Sequence, residues 1–208
     1  LPKNKSFVLY PPVDTASFLP GNKENIILSV ARFDSPSHSK RQDVLIDSFK
    51  ILHESSPDYQ LFLAGSSHLE SDTLEKLKEQ AKSLPVKFVV NPNFDKLKSL
   101  YAKSKFFWHA AGFEVDEKKD PEKVEHFGIA TVESMAAGCV PVVIGKGGQV
   151  EIISEGTGFL CANAKEIAAT TQKLIKNSSL YEKTKESAKE RSEKFSTKEF
   201  NKKILTLI

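Results

Sequence analysis

Residues 26–65 read IILSVARFDSPSHSKRQDVLIDSFKILHESSPDYQLFLAG. Ile26 to Val30 is an apolar run of strand length. Val44, Leu45, Ser48, Phe49 and Leu52 then recur at helical spacing, which puts them on one face of a helix. Leu61-Phe62-Leu63-Ala64 is a second strand-length run, stopped by Gly65. Strand, helix, strand in this order is the parallel βαβ unit, because two strands joined by a helix return in the same direction.

The alternation continues outward. Leu74, Leu77, Ala81 and Leu84 stripe a second helix, and Val86–Val90 forms a third strand. Asp95 is the expected cap of a short helix carrying Leu97, Leu100 and Tyr101, and Phe106–His109 follows as a fourth strand. The polar stretch from Glu114 to Lys123 interrupts the rhythm. A helix from Ile129 to about Ala137 is closed by Gly138, and Val140–Ile144 is the fifth strand. Pro141 lacks a ladder donor and is expected at that strand's first residue or at an unpaired position. Gly147-Gly148 opens a further short helix, and Gly158–Cys161 supplies a sixth strand. The remainder, from about residue 164, reads as polar-faced helix with sparse apolar positions at Ile167, Leu174, Tyr181, Phe195, Phe200, Ile204 and Leu207. The expected fold is therefore α/β: a Rossmann-like parallel sheet of about six strands with helices on both faces and a helical C-terminal extension. Upstream, the double proline in Val8-Leu9-Tyr10-Pro11-Pro12-Val13-Asp14 favours an extended connector. Residues 1–20 are read as an interdomain linker and 21–208 as the domain itself.

Bulk properties exclude several classes of function. Thirty basic and 27 acidic residues are spread along the chain for a formal charge of +3, so no basic stripe marks a nucleic-acid partner. No apolar run approaches the roughly 20 residues of a transmembrane segment, and Leu1-Pro2-Lys3-Asn4-Lys5 has no signal-peptide core. Cys139 and Cys161 lie in apolar surroundings without metal-ligand spacing and are read as buried thiols in a reducing, cytoplasmic setting. A start at Leu1 rather than methionine suggests that something precedes it.

Ligands of open parallel sheets bind beyond the carboxyl ends of the strands. Arg32 follows the first strand and Lys40 stands at the expected start of the first helix, where both can reach a phosphate; as isolated residues they read better as solvated charges. The stretch Glu125-His126-Phe127-Gly128-Ile129-Ala130-Thr131-Val132-Glu133 carries more. A glutamate ahead of a helix and another within it flank a glycine that admits close backbone approach. Carboxylates accept from paired hydroxyls but repel a diphosphate, so they should contact polyol. The glycine-rich G-x-G-x-x-G turn of nicotinamide-binding folds is missing after the first strand, where Ala31-Arg32-Phe33-Asp34-Ser35-Pro36 stands instead; this argues against a dehydrogenase.

The E-x7-E pattern with internal Phe127-Gly128, followed by Met135-Ala136-Ala137-Gly138 with Pro141-Val142 and by Gly147-Gly148 with Glu151-Ile152, resembles the family 4 retaining glycosyltransferases of GT-B fold, specifically their C-terminal, donor-binding half. The resemblance extends to the Tyr10–Asp14 connector, the strand end at Arg32, the helix start at Lys40, Ala64-Gly65, and Gly156 to Leu160. It implies that Glu125 contacts hydroxyls of the donor sugar and Glu133 the ribose. The backbone of Phe127, Gly128 and Ile129 would line sugar and phosphate, with Gly65 and His126 also at the donor site. Arg32 and Lys40 would hold the diphosphate and stabilise the charge that builds on it as the glycosidic bond breaks. It further implies a UDP-, GDP- or ADP-sugar donor, no cofactor, a dispensable metal, and a glycan or lipid-linked acceptor bound by an N-terminal domain that is absent, with any membrane contact made through that domain. The fragment alone is expected to bind donor and transfer nothing; the alternative is a noncatalytic nucleotide- or partner-binding module. Glu114-Val115-Asp116 faintly resembles a metal-binding D-x-D but reads better as a solvated turn. The segment Gly112–Val124 is longer than in many members, as a surface insertion or a lid. His109 reads as a packed or hydrogen-bonded strand-end residue, and His126 as either pocket contact or spacer. Asn91 and Phe88 are candidates to meet the base, with core packing the stronger reading for Phe88.

Overall fold

A computed structural model describes residues 8–33, 40–68 and 72–206. The expectations placed on Leu1–Lys5, on Asp34-Ser35-Pro36 and on Leu207 lie outside the described residues.

Six parallel strands form one sheet: β1 (Glu24–Val30), β2 (Gln60–Gly65), β3 (Val86–Val90), β4 (Ser104–His109), β5 (Val140–Ile144) and β6 (Phe159–Cys161), in the order β3-β2-β1-β4-β5-β6. The helices are α1 (Gln42–His53), α2 (Asp72–Ala81), α3 (Phe94–Lys103), α4 (Ile129–Ala136), α5 (Gln149–Ile152), α6 (Ala164–Lys176), α7 (Ser178–Ser192) and α8 (Thr197–Leu205). The sheet grows in one direction from β1 through β3 and in the other from β4 through β6. The crevice between β1 and β4 is thus the topological switch point, where such sheets bind ligands.

Strand side chains divide by the period of two. Ile27, Leu61, Leu63, Phe106, Trp108, Val140, Val142 and Ile144 face α1, α2 and α6, whereas Leu28, Ala64, Phe107 and Val143 face α3 and α4. Both faces are buried, as a parallel sheet requires. Trp108 is wholly buried and its indole N–H donates to Thr171 Oγ1 on α6 at 3.0 Å, so burial leaves no orphan donor there. Helix α7 begins on one face with Tyr181 and ends on the other with Ala188, and so wraps the sheet.

Three local details refine the sequence reading. Helix α3 is capped by Asn93, not Asp95: Asn93 Oδ1 accepts from Lys96 N–H at 2.8 Å. Pro141 is the second residue of β5 and lies in register with Phe107 of β4; pairing with β6 begins only at Val142, opposite Phe159. The first helix begins at Gln42, two residues after Lys40, with Arg41 in a left-handed conformation at its cap.

Within residues 1–20, Val13 and Phe18 are buried with the α3–α4 face. Val13 N–H donates to Phe195 O, and Thr197 N–H returns to Val13 O, each at 2.9 Å. The connector is thereby fixed between α7 and α8. Cys139 and Cys161 are buried free thiols that burial lifts to about 11. No helix among the described residues is long and apolar enough to cross a membrane.

Candidate functional site

The carboxyl ends of β1 and β4 open into a cleft of about 550 Å³. Arg32, Lys40, Glu125, His126, Phe127, Gly128, Ile129 and Glu133 line it, joined by Val30, Ala31, Ala130 and His109. Gly65 lines an adjoining cleft of about 460 Å³ with Ser66, Asn91, Pro92 and Leu97; Val30, Ala31 and Arg32 belong to both. The two form one groove along the strand ends.

Gly65 is required by close approach. A Cβ there would stand 1.8 Å from Ala31 O, so the ends of β1 and β2 meet backbone to backbone. Gln42, buried at the first turn of α1, donates its side-chain N–H to Arg32 O at 2.9 Å and fixes the backbone that carries Arg32. The Arg32 side chain is exposed to the groove.

Gly128 precedes α4 with φ +114°, where any other residue is strained, and a Cβ would meet Gln149 Nε2 at 2.7 Å. Thr131 and Val132 N–H both donate to Gly128 O. The amides of Ile129 and Ala130 therefore stand ahead of the first intrahelical bond, as donors for an anion or hydroxyl. The Gly147-Gly148 turn packs behind this backbone: Gly148 N–H donates to Glu125 O at 2.7 Å, and a Cβ on Gly148 would lie 2.3 Å from Phe127 O. Thr131 Oγ1 donates to Gln149 Oε1 at 3.0 Å, tying α4 to α5. Tyr10 stacks on Phe127 at 5.7 Å between centroids, so the connector also touches the cleft wall.

Both carboxylates of the cleft are hydrogen-bonded. Glu125 Oε2 accepts from Lys40 Nζ at 2.7 Å and from His109 Nε2 at 2.8 Å. His109 is buried at the end of β4, and burial outweighs the Glu125 charge to push it down to about 4, so the ring is neutral near pH 7. Burial raises the Glu125 carboxyl, but His109 and Lys40 together hold it below its ordinary value. The sequence suggested a hydrogen-bonded His109; that its partner is Glu125 depends on a tertiary contact across the 112–124 segment. Glu133, inside α4, is raised by burial despite a 2.8 Å hydrogen bond from Tyr101 Oη. Tyr101 was legible only as a core position.

Asn91, in a left-handed conformation after β3, accepts from Ser67 N–H at 3.1 Å and donates to Ser67 O at 3.0 Å. Its amide braces the turn after β2 beside the groove. Phe88 packs near Phe33, centroids 6.2 Å apart, and is partly buried in the core. Among the described residues, no group of three or more His, Cys, Asp or Glu side chains could hold a metal ion. Another surface cleft of about 500 Å³ is lined by Tyr10, Arg191, Phe195 and Lys203 among others. Of its cations, Arg191 lies over Phe195 and Lys203 over Tyr10, and Arg191 also donates to Ile152 O and Glu151 O.

Comparison with known proteins agrees with this architecture. Residues 14–191 match the family model "Glycosyl transferases group 1". The GDP-Man:Man(3)GlcNAc(2)-PP-Dol alpha-1,2-mannosyltransferase of Dictyostelium discoideum is 27% identical over 97% of this chain and 42% of its own length. The mannosylfructose-phosphate synthase of Agrobacterium fabrum is 30% identical over 77% of this chain and 35% of its own. The chain thus spans less than half the length of these curated relatives. Among solved structures, Anabaena HepE in complex with UDP and glucose superposes with TM-score 0.79 at 22% identity, over 97% of this chain and 56% of that one. The C-terminal domain of the Francisella tularensis group 1 family protein LpcC superposes with TM-score 0.72 at 18% identity, over 89% of this chain and 99% of that domain. With the family model covering most of the sequence and the sheet order of the C-terminal GT-B domain in place, the chain belongs to the group 1 (family 4) glycosyl transferases.

Proposed function

We propose that this domain is the donor site of a retaining transferase that uses a nucleoside-diphosphate hexose. The observation that carries the reading is the crevice between β1 and β4, where two cations, two carboxylates and two helix-start amides line one groove. Arg32 and Lys40 take the diphosphate, where each charged hydrogen bond is worth about 1.5–3 kcal/mol. Glu133 takes the ribose, Glu125 the sugar hydroxyls, and the adjoining cleft around Asn91 and Pro92 the base. A diphosphate carries more negative charge than one carboxylate, so Lys40 exchanges Glu125 for phosphate when the donor enters. As the glycosidic bond breaks and negative charge grows on the leaving diphosphate, Arg32, Lys40 and the amides of Ile129 and Ala130 stabilise it. The groove supplies charge stabilisation; in this reading no side chain of this half attacks the sugar.

The acceptor, a glycan or a lipid-linked sugar, is assigned to a second domain, in keeping with the partial coverage of the longer relatives. GDP-mannose is the first donor to test, because a GDP-mannose transferase is among those relatives; UDP-glucose is the second, because HepE was solved with UDP and glucose. Isothermal titration with GDP, UDP and ADP, free and sugar-linked, tests the reading. Micromolar to millimolar binding of one base series is expected. No binding of any of them sinks it.

A further inference from the structure

One oxygen of Glu125 accepts from two donors of different character. Lys40 Nζ lies at 2.7 Å and His109 Nε2 at 2.8 Å, both on Oε2, while Oε1 makes no hydrogen bond with the described residues. Lys40 reaches Oε2 on a flexible four-carbon stem from the residue pair preceding α1. His109 does not have that freedom. It ends a central strand, is 4% exposed, and its Nδ1 accepts from Ala111 N–H at 3.2 Å. A neutral ring that accepts on Nδ1 carries its proton on Nε2, so the histidine is locked as a donor towards Glu125.

We propose that His109 is a positioning residue for the donor sugar: a tautomer-locked N–H that holds Glu125 Oε2 in place when Lys40 turns to the diphosphate, leaving Oε1 for a sugar hydroxyl. The proposal rests on the donor-site reading above. Its physical need is plain. A carboxylate whose sole partner was Lys40 would follow that cation towards the phosphates, where like charges repel, and its sugar contact would be lost. A neutral donor holds the carboxylate without competing for the diphosphate.

The test is titration of the 208-residue chain with GDP, GDP-mannose, UDP and UDP-glucose, for the wild type, H109L and H109Q. For the pair that the wild type binds, the preference for sugar nucleotide over free nucleotide falls about tenfold in H109L. It returns to within about threefold in H109Q, whose side-chain N–H reaches the Nε2 position. A merely structural role weakens both ligands in proportion, and that result, or an unchanged ratio, overturns the proposal. Should H109L fail to fold, H109N replaces it, because its shorter amide reaches the Nδ1 position and not Glu125. Independently of any ligand, nitrogen NMR of the wild type near pH 7 should show Nδ1 bare and Nε2 protonated; a protonated Nδ1 overturns it. A wild type that binds no nucleotide overturns the donor-site reading itself, and the proposal with it.

Discussion

Tyr101 Oη donates to Glu133 Oε2 at 2.8 Å from the far side of the α3–α4 interface. The tyrosine is wholly buried, with its ring edge-on to Phe18 at 5.2 Å and tilted against Phe107 at 6.2 Å. Burial raises the phenol well above its usual range, so it remains a donor at every working pH. One carboxylate of the groove is thus braced by a neutral buried hydroxyl, as the other is by a neutral buried imidazole.

That brace gives the first prediction. Y101F keeps the ring and its packing but removes the donor, so Glu133 is left free to turn. Affinity for the bound ribonucleoside diphosphate should fall by about tenfold, in line with the lower end for one hydrogen bond to a charged group. Affinity for its 2′,3′-dideoxy analogue should not change. Equal losses for both nucleotides in titration would detach Glu133 from the ribose.

The acid limb of stability follows from His109. Its folded value, about 4, lies below the ordinary 6.5, so the unfolded chain takes up a proton that the folded chain refuses. The native state therefore loses stability as pH falls from about 6.5 to 4, by about 3 kcal/mol in all. Glu125, held low, adds a loss of the same sign below its unfolded value, whereas Glu133, raised by burial, contributes with the opposite sign. Urea unfolding at a series of pH values should show this slope in the wild type and a flatter one in H109Q. Parallel slopes would mean that His109 is charged in the folded protein.

Sheet and helices were readable because the parallel strands are buried on both faces and announce themselves as apolar runs, as Ile26–Val30 and Val140–Ile144 do. Glycine constraints at Gly65 and Gly128 were visible as residue types, but only the 1.8 Å approach to Ala31 O and the φ of +114° give their causes. The pairing within the groove was not readable. Lys40 and His109 lie 85 and 16 residues from Glu125, and no local pattern couples them. Capping showed the same limit on a smaller scale: Asn93 and Asp95 are both competent caps, and the choice falls to whichever side chain reaches an N–H two or three residues on.

Gly128→Ala should disrupt both the fold and the groove. The new Cβ would stand 2.7 Å from Gln149 Nε2 and 3.1 Å from Ile152 Cδ1, at a φ that L residues rarely adopt. A destabilisation of about 2 kcal/mol is expected in denaturant unfolding, from strain and crowding together. Nucleotide affinity should also fall, because the amides of Ile129 and Ala130 move with this residue. Retained affinity would show that those amides do not face the ligand.

The two cations should separate by salt and by ligand. Arg32 is exposed in the groove and unoccupied by the described acidic groups, so R32A should lower nucleoside-diphosphate affinity by about tenfold and leave melting nearly unchanged. K40A also removes a partner of Glu125, with side chains only 14% and 18% exposed, so it should lower both affinity and melting temperature. E125A should instead reduce the preference for sugar nucleotide over free nucleotide. Small, equal effects from all three would contradict this division of roles.

The segment from Gly112 to Val124 is tied near its start and at its middle beside the groove. Phe113 lies under the Arg41 guanidinium at 4.9 Å and its carbonyl accepts from Arg41 Nη1 at 3.2 Å, next to Lys40. Glu117 Oε1 accepts from Gly147 N–H at 2.7 Å, with Lys146 Nζ 3.6 Å from its other oxygen. Two anchors on opposite neighbours of Glu125 describe a strap across existing structure more than a lid that swings. E117A should therefore leave nucleotide affinity within about twofold, since one exposed ion pair is worth about 0–1 kcal/mol. The same change should speed tryptic cleavage at Lys118 and Lys119, which the anchor no longer restrains. Cleavage of the wild type at these lysines should be indifferent to bound nucleotide. Strong protection by nucleotide would make the segment a lid.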